Sequence, residues 1–143
     1  MLVYLEKEQS WSIVEARYLT AYKPIMSSSG DFDKYQGFVQ MLVNSGYKVT
    51  SKSMRRSGEN WKGNCDIEIT LAAVDAIRDG NIQWLVLMSN DSDFTELLKY
   101  AKHYGVKTAV ATVDGATAFE LKNEADIYLD LSEVEVFRQR VEG

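Results

Sequence analysis

The sequence predicts an α/β fold, a mostly parallel β-sheet with helices on both faces. Strand-like and helix-like stretches alternate, with intervening helices of ten or more residues, the pattern of βαβ units. The continuous apolar run Trp84-Leu85-Val86-Leu87-Met88 reads as a strand buried on both faces, as in a parallel sheet. The length of 143 residues suits one domain. A domain of about 150 residues buries roughly 68–70% of its unfolded surface, enough for a core without staples.

Each element follows from local pattern. Ile13 to Tyr22 is rich in β-branched and aromatic residues and stops before Pro24. After Ser27-Ser28-Ser29-Gly30, Asp31 caps a helix with Phe38, Val39, Met41, Leu42 and Val43 at the spacings of one face. Gly46 ends it, and Tyr47 to Met54 is a second strand. Arg55 to Asn64 is polar, carries Gly58 and Gly63, and reads as a loop. Asp66 opens a helix through Ile69, Ala72, Ala73, Ala76 and Ile77, closed by Gly80. Ile82 to Met88 is the apolar strand, and Ser89-Asn90-Asp91-Ser92 its turn. Phe94, Leu97, Leu98 and Ala101 form a third helix, ended near Gly105. Val106 to Val113 is the next strand. Asp114-Gly115 leads to a short helix through Phe119 and Leu121. Ile127-Tyr128-Leu129 is a last strand, and Val134 to Val141 a closing helix.

Composition excludes several function classes. Hydrophobic residues make up 45% and aromatics 11%, against a disordered chain. One cysteine, Cys65, excludes a disulfide framework and a cysteine zinc site. One histidine, His103, excludes a multi-histidine metal site. The longest apolar run falls far short of the ~20 residues of a membrane helix. Met1 to Glu8 has no basic region before its apolar residues, unlike a signal peptide. The expectation is a cytoplasmic protein without membrane partners. Sixteen basic against twenty-one acidic residues give a net charge of −5, which opposes nonspecific coating of nucleic acid.

Ligands of such folds sit at the carboxyl ends of the strands. Three places qualify: the loop before Asp66, the turn after Met88 and the turn after Val113. Asp91 and Asp93 share one turn after the most hydrophobic strand. Carboxylates held together repel, and a hard divalent cation removes the conflict. All-oxygen sites suit Mg²⁺ or Mn²⁺, which activate water and stabilise charge on a phosphodiester. The competing reading is capping: Asp93 with Glu96 resembles a capping box, and Asp91 has free amides within reach. Asp66, at a helix start, is open to the same two readings. Asp75, nine residues on, falls roughly opposite Asp66 and reads as solvent-facing.

Lys48 to Lys62 holds Lys48, Lys52, Arg55, Arg56 and Lys62 against Glu59, flanked by Tyr47 and Trp61. Basic residues interleaved with aromatics hold a single-stranded backbone and stack its bases, and a solvated loop is the alternative. His103 reads as a helix-end surface residue. Cys65 reads as a small buried hydrophobe rather than a nucleophile. Asp126 borders the last strand and reads as capping or orienting its neighbours rather than binding metal.

These residues carry a resemblance. Leu85 to Phe94, with Asn90-Asp91-Ser92-Asp93, resembles the strand-turn-helix motif of NYN domains, PIN-like nuclease domains that include a LabA-like group. Lys62-Gly63-Asn64-Cys65-Asp66-Ile67 resembles the family's lysine-glycine-aspartate segment. Tyr104 to Val110, Leu121 to Tyr128, and Arg17 to Tyr22 resemble its other segments, so the likeness spans about Ile13 to Leu131. It implies a three-layer PIN-like sheet fold and a Mg²⁺- or Mn²⁺-dependent endoribonuclease site. Residue by residue it implies Asp66, Asp91 and Asp93 as catalytic and metal-binding acids. Lys52, Arg55, Arg56 and Lys62 would then bind RNA, single-stranded or structured. A further family acid would align near Ala72, so Asp75 is no safe substitute. Asn90 replaces a common glycine and tolerates left-handed geometry.

The family's first strand, which ends in an acid, has no clear counterpart here. Val3 to Glu6 is one alignment, with Glu6 as the acid, but Lys7 to Ser12 is too short for a parallel crossover. The preferred reading makes Met1 to Glu8 the tail of the first helix, in a single N-terminally truncated domain. Sheet edges left bare would favour self-association. The rival functions are a non-catalytic RNA-binding or regulatory module and, less well matched, a phospho-aspartate phosphatase.

Overall fold

The computed structural model describes residues 9–24, 30–113 and 117–132. They form two compact units, 1–69 and 70–143. The readings for Met1 to Glu8, for Asp114-Gly115 and for the closing helix at Val134 to Val141 lie outside the described residues. No helix among the described residues is long and apolar enough to cross a membrane.

In the first unit, β1 (Arg17–Tyr22) and β2 (Lys48–Ser53) pair in parallel, Arg17 opposite Lys48 and Tyr22 opposite Ser53. The strand expected from Ile13 begins only at Arg17. Val14, ahead of the strand, is 75% exposed. Helix α1 (Gly30–Asn44) connects the strands, with Asp31 and Asp33 in its first turn, where the positive helix end favours acids. Of the five apolar residues expected on its inner face, Leu42 is buried, while Met41 and Val43 are about half exposed.

The stretch expected as a loop is a hairpin: β3 (Arg55–Ser57) pairs antiparallel with β4 (Asn60–Lys62). Gly58 takes the first central turn position with φ 64°, the position of a glycine in a type II′ turn. Three-residue polar strands carry no hydrophobic alternation, and this turn glycine was the available signal.

Helix α2 (Asp66–Asp79) begins after Cys65, whose carbonyl accepts from the Ile69 amide. The unit boundary falls inside it, and it is one continuous helix with Ala73 and Ile77 buried.

In the second unit, β5 (Trp84–Leu87), β6 (Lys107–Thr112) and β7 (Ile127–Asp130) form a parallel sheet in that order. Helices α3 (Thr95–His103) and α4 (Phe119–Glu124) complete it. The strand expected to be buried on both faces is β5, yet only its Leu87 is buried. It lies at the edge of the described sheet and pairs with β6 alone. The buried strand is β6, where Thr108 to Thr112 are all buried. Ala109 and Ala111 leave room there for close packing, which hydropathy alone does not register. Phe94, Leu97, Leu98 and Ala101 are buried as expected. Fully burying a side chain such as Leu98 or Leu121 contributes about 1.5–3 kcal/mol.

α3 stops at Gly105, where φ is 76°. The Val106 amide donates to the Ala101 carbonyl at 2.9 Å and the Gly105 amide to Lys102 at 3.0 Å, a Schellman closure. Asp126 performs the orienting role expected of it. Its Oδ2 accepts from the Thr108 amide at 2.7 Å, and its own amide donates to Thr108 Oγ1 at 3.2 Å, locking β7 to β6.

Candidate functional site

The turn after β5 is organised by its own acid. Asp91 Oδ1 accepts from the Asp93 amide at 2.9 Å and caps a single 3₁₀ turn, Ser92–Phe94. The Asp91 amide donates to Ser89 Oγ at 3.1 Å, and Thr95 Oγ1 donates to the Ser92 carbonyl at 2.6 Å. Capping by Asp91 is therefore real. A carboxylate has two oxygens, so capping by Oδ1 leaves Oδ2 to serve a cation. The Asp93–Glu96 capping box is not formed: Phe94 stands at the N-cap of α3 without a side-chain bond, and Glu96 pairs with Lys99. Asp93 is exposed and Asp91 half-buried.

Asp66 is half-buried in the first turn of α2, in the first unit. In the second unit Asp91 and Asp93 share one turn at the end of β5. The all-oxygen chemistry of these acids suits Mg²⁺ or Mn²⁺.

The segment leading to Asp66 is fixed by close approach. A Cβ on Gly63 would stand 2.8 Å from Met54 Cγ and 3.2 Å from Met54 Cα. Only glycine lets the chain pass Met54 undisturbed between Lys62 and Asp66. Cys65 is half-buried, and burial pushes its thiol above the ordinary range, as expected of a packing residue rather than a nucleophile.

The basic residues divide. Lys52 Nζ donates to Glu68 Oε1 at 2.6 Å, and this bond holds the Glu68 carboxyl below its ordinary range. Lys52 therefore secures the first turn of α2. Nothing in the spacing of Lys52 and Glu68, sixteen residues apart, announced the pair. Arg55, Arg56 and Lys62 are exposed and lie on the hairpin, with Arg55 directly opposite Lys62. Among the described residues none of the three joins an ion pair. Like charges placed opposite one another are destabilising, and a bound anion relieves that cost. Asp75 is exposed, and His103 is an exposed helix-end residue packed edge-on against Tyr104, both as expected.

The NYN domain model matches residues 5–132. The chain belongs to the NYN domain family. This NYN domain is 27% identical over 149 residues to the low amplitude and bright protein LabA of Synechococcus elongatus, across 99% of this chain and 75% of that protein. A crystal structure of a protein of unknown function from Vibrio parahaemolyticus matches with a TM-score of 0.74 and 26% identity, covering 92% of this chain and 76% of that one. The α/β, PIN-like class expected from the sequence holds for this NYN domain.

Proposed function

We propose that this NYN domain is a divalent-cation-dependent endoribonuclease. NYN domains are generally nucleases, and the observation that carries the reading is the single turn that holds Asp91 and Asp93 together at the carboxyl end of β5. These three would hold Mg²⁺ or Mn²⁺. The bound cation supplies an activated water and charge stabilisation for phosphodiester hydrolysis. Asp91 holds the turn with one oxygen and would offer the other to the cation. Lys52, through Glu68, fixes the helix turn that presents Asp66. Arg55, Arg56 and Lys62 supply positive charge for the RNA backbone, on a chain whose overall charge would otherwise repel it.

The test is cleavage of single-stranded RNA in Mn²⁺ by the unaltered protein and by Asp91→Asn and Asp93→Asn. Loss of a metal ligand should reduce the rate by about a hundredfold or more, in the range of catalytic electrostatic contributions. Asp93→Asn is the cleaner probe because Asp93 does not cap. Equal rates in the variants would remove the acids from the mechanism. RNA binding without metal-dependent cleavage would favour the non-catalytic RNA-binding module.

A further inference from the structure

The first unit contains an open groove of about 670 Å³ between the first half of α1 and the strands β1 and β2. We propose that this groove takes an unpaired nucleobase of single-stranded RNA, an inference that rests on the ribonuclease reading for its ligand class. Three aromatic side chains line it: Tyr22, Phe32 and Tyr35. The Tyr22 and Tyr35 rings lie 5.6 Å apart at 37°, so they do not close face to face upon each other. The Tyr35 hydroxyl donates to Ser51 Oγ at 2.7 Å, which fixes that ring from its far end. A ring held this way loses little entropy when a base stacks on it. Gln36, an exposed residue of the lining, carries both a donor and an acceptor, which suits the polar edge of a base.

The place also fits. Tyr22 is the last residue of β1, and Ser51 is in the second half of β2, so the groove opens towards the carboxyl ends of parallel strands. From Ser51 the same chain runs into the hairpin of Arg55, Arg56 and Lys62. A flat base on an anionic backbone matches aromatic faces followed by cations that join no ion pair among the described residues. An acyl chain or an apolar peptide face would leave the Gln36 amide and the neighbouring cations unused.

Gly37 supplies the test. It lines the groove from inside α1, and a Cβ there would meet nothing within 4 Å. The added Cβ of Gly37→Leu meets open space, so the variant puts apolar bulk on the groove wall, and it replaces a poor helix former with a good one. Tyr22→Ala removes a stacking face, but it also strips the end of β1. Binding of a short single-stranded RNA is measured by fluorescence anisotropy with EDTA present, beside an oligonucleotide of the same length made of abasic sugar-phosphates. Gly37→Leu should keep its melting temperature and weaken RNA binding about tenfold, the order of one lost base stack. The abasic strand should bind both proteins equally and more weakly. Unchanged RNA affinity in Gly37→Leu, or equal affinity of the unaltered protein for RNA and the abasic strand, overturns the base groove. Either result leaves Mn²⁺-dependent cleavage by the aspartates standing. Base-dependent binding without cleavage would sink the nuclease reading and keep the groove.

Discussion

The two units of this chain are built to different standards. In residues 70–143, Leu98, Ala101, Ala109, Val110, Leu121 and Leu131 are essentially sealed from water. In residues 1–69 the buried apolar core among the described residues is Leu42 alone. The second unit holds Asp91 and Asp93 on a turn between the strand β5 and the helix α3. The first holds the aromatic groove and the hairpin cations. The proposed role of these carboxylates needs fixed positions, and a packed sheet supplies them. Surfaces that accept a flexible polymer gain less from such packing.

The largest expected effect breaks the contrast directly. Leu98→Ala, at a fully buried position, should cost about 2–5 kcal/mol in a denaturant melt. Leu42→Ala, on a helix whose Met41 and Val43 are already half exposed, should cost distinctly less, because its surroundings can collapse or admit water. Equal losses would mean that the two units share one level of packing.

An intermediate effect concerns the approach to Asp66. Gly63→Ala forces a Cβ against Met54, where backbone as well as side chain lies within 3.2 Å. Overpacking of this kind costs about 1–3 kcal/mol. The strain falls between the hairpin and the first turn of α2, so Mn²⁺-dependent cleavage should fall further than thermal stability predicts. A cleavage rate that tracks stability alone would show that the Gly63 passage does not govern where Asp66 sits.

The same unevenness explains what could be read from the sequence. α2, α3 and the Asp91–Asp93 turn were legible because helix periodicity, end glycines and strand-end acids are local signals. The hairpin at Arg55 to Lys62 was missed because its strands are polar and three residues long. β5 was overrated: its continuous hydrophobicity is greater than that of β6, but position in the sheet decides burial, and β6 has a neighbour on each side. The pattern offers capping to both acids of the turn: Asp91 reaches the Asp93 amide, whereas the Asp93–Glu96 box does not form, and only tertiary placement decides between them. The Lys52–Glu68 bond depends on tertiary placement and left no trace in spacing.

The smallest expected effect lies at the open start of the first unit. Glu15 bonds both Arg17, on β1, and Lys48, on β2, the latter at 3.1 Å. These bonds hold its carboxyl below the ordinary range. A lowered folded-state value means that the carboxylate stabilises the fold above its ordinary titration range, near 4.5. That contribution is lost as pH falls through the lowered value. Lys48 is 69% exposed, so solvent screens the pair and the gain is small. Glu15→Gln should therefore change stability at pH 7 by no more than a few tenths of a kcal/mol, as at other exposed pairs. It should also flatten the acid limb of the stability profile slightly, and raised salt should erase the difference between the two proteins. A loss comparable to that of Leu42→Ala would show that charge pairing, rather than apolar burial, holds β1 to β2.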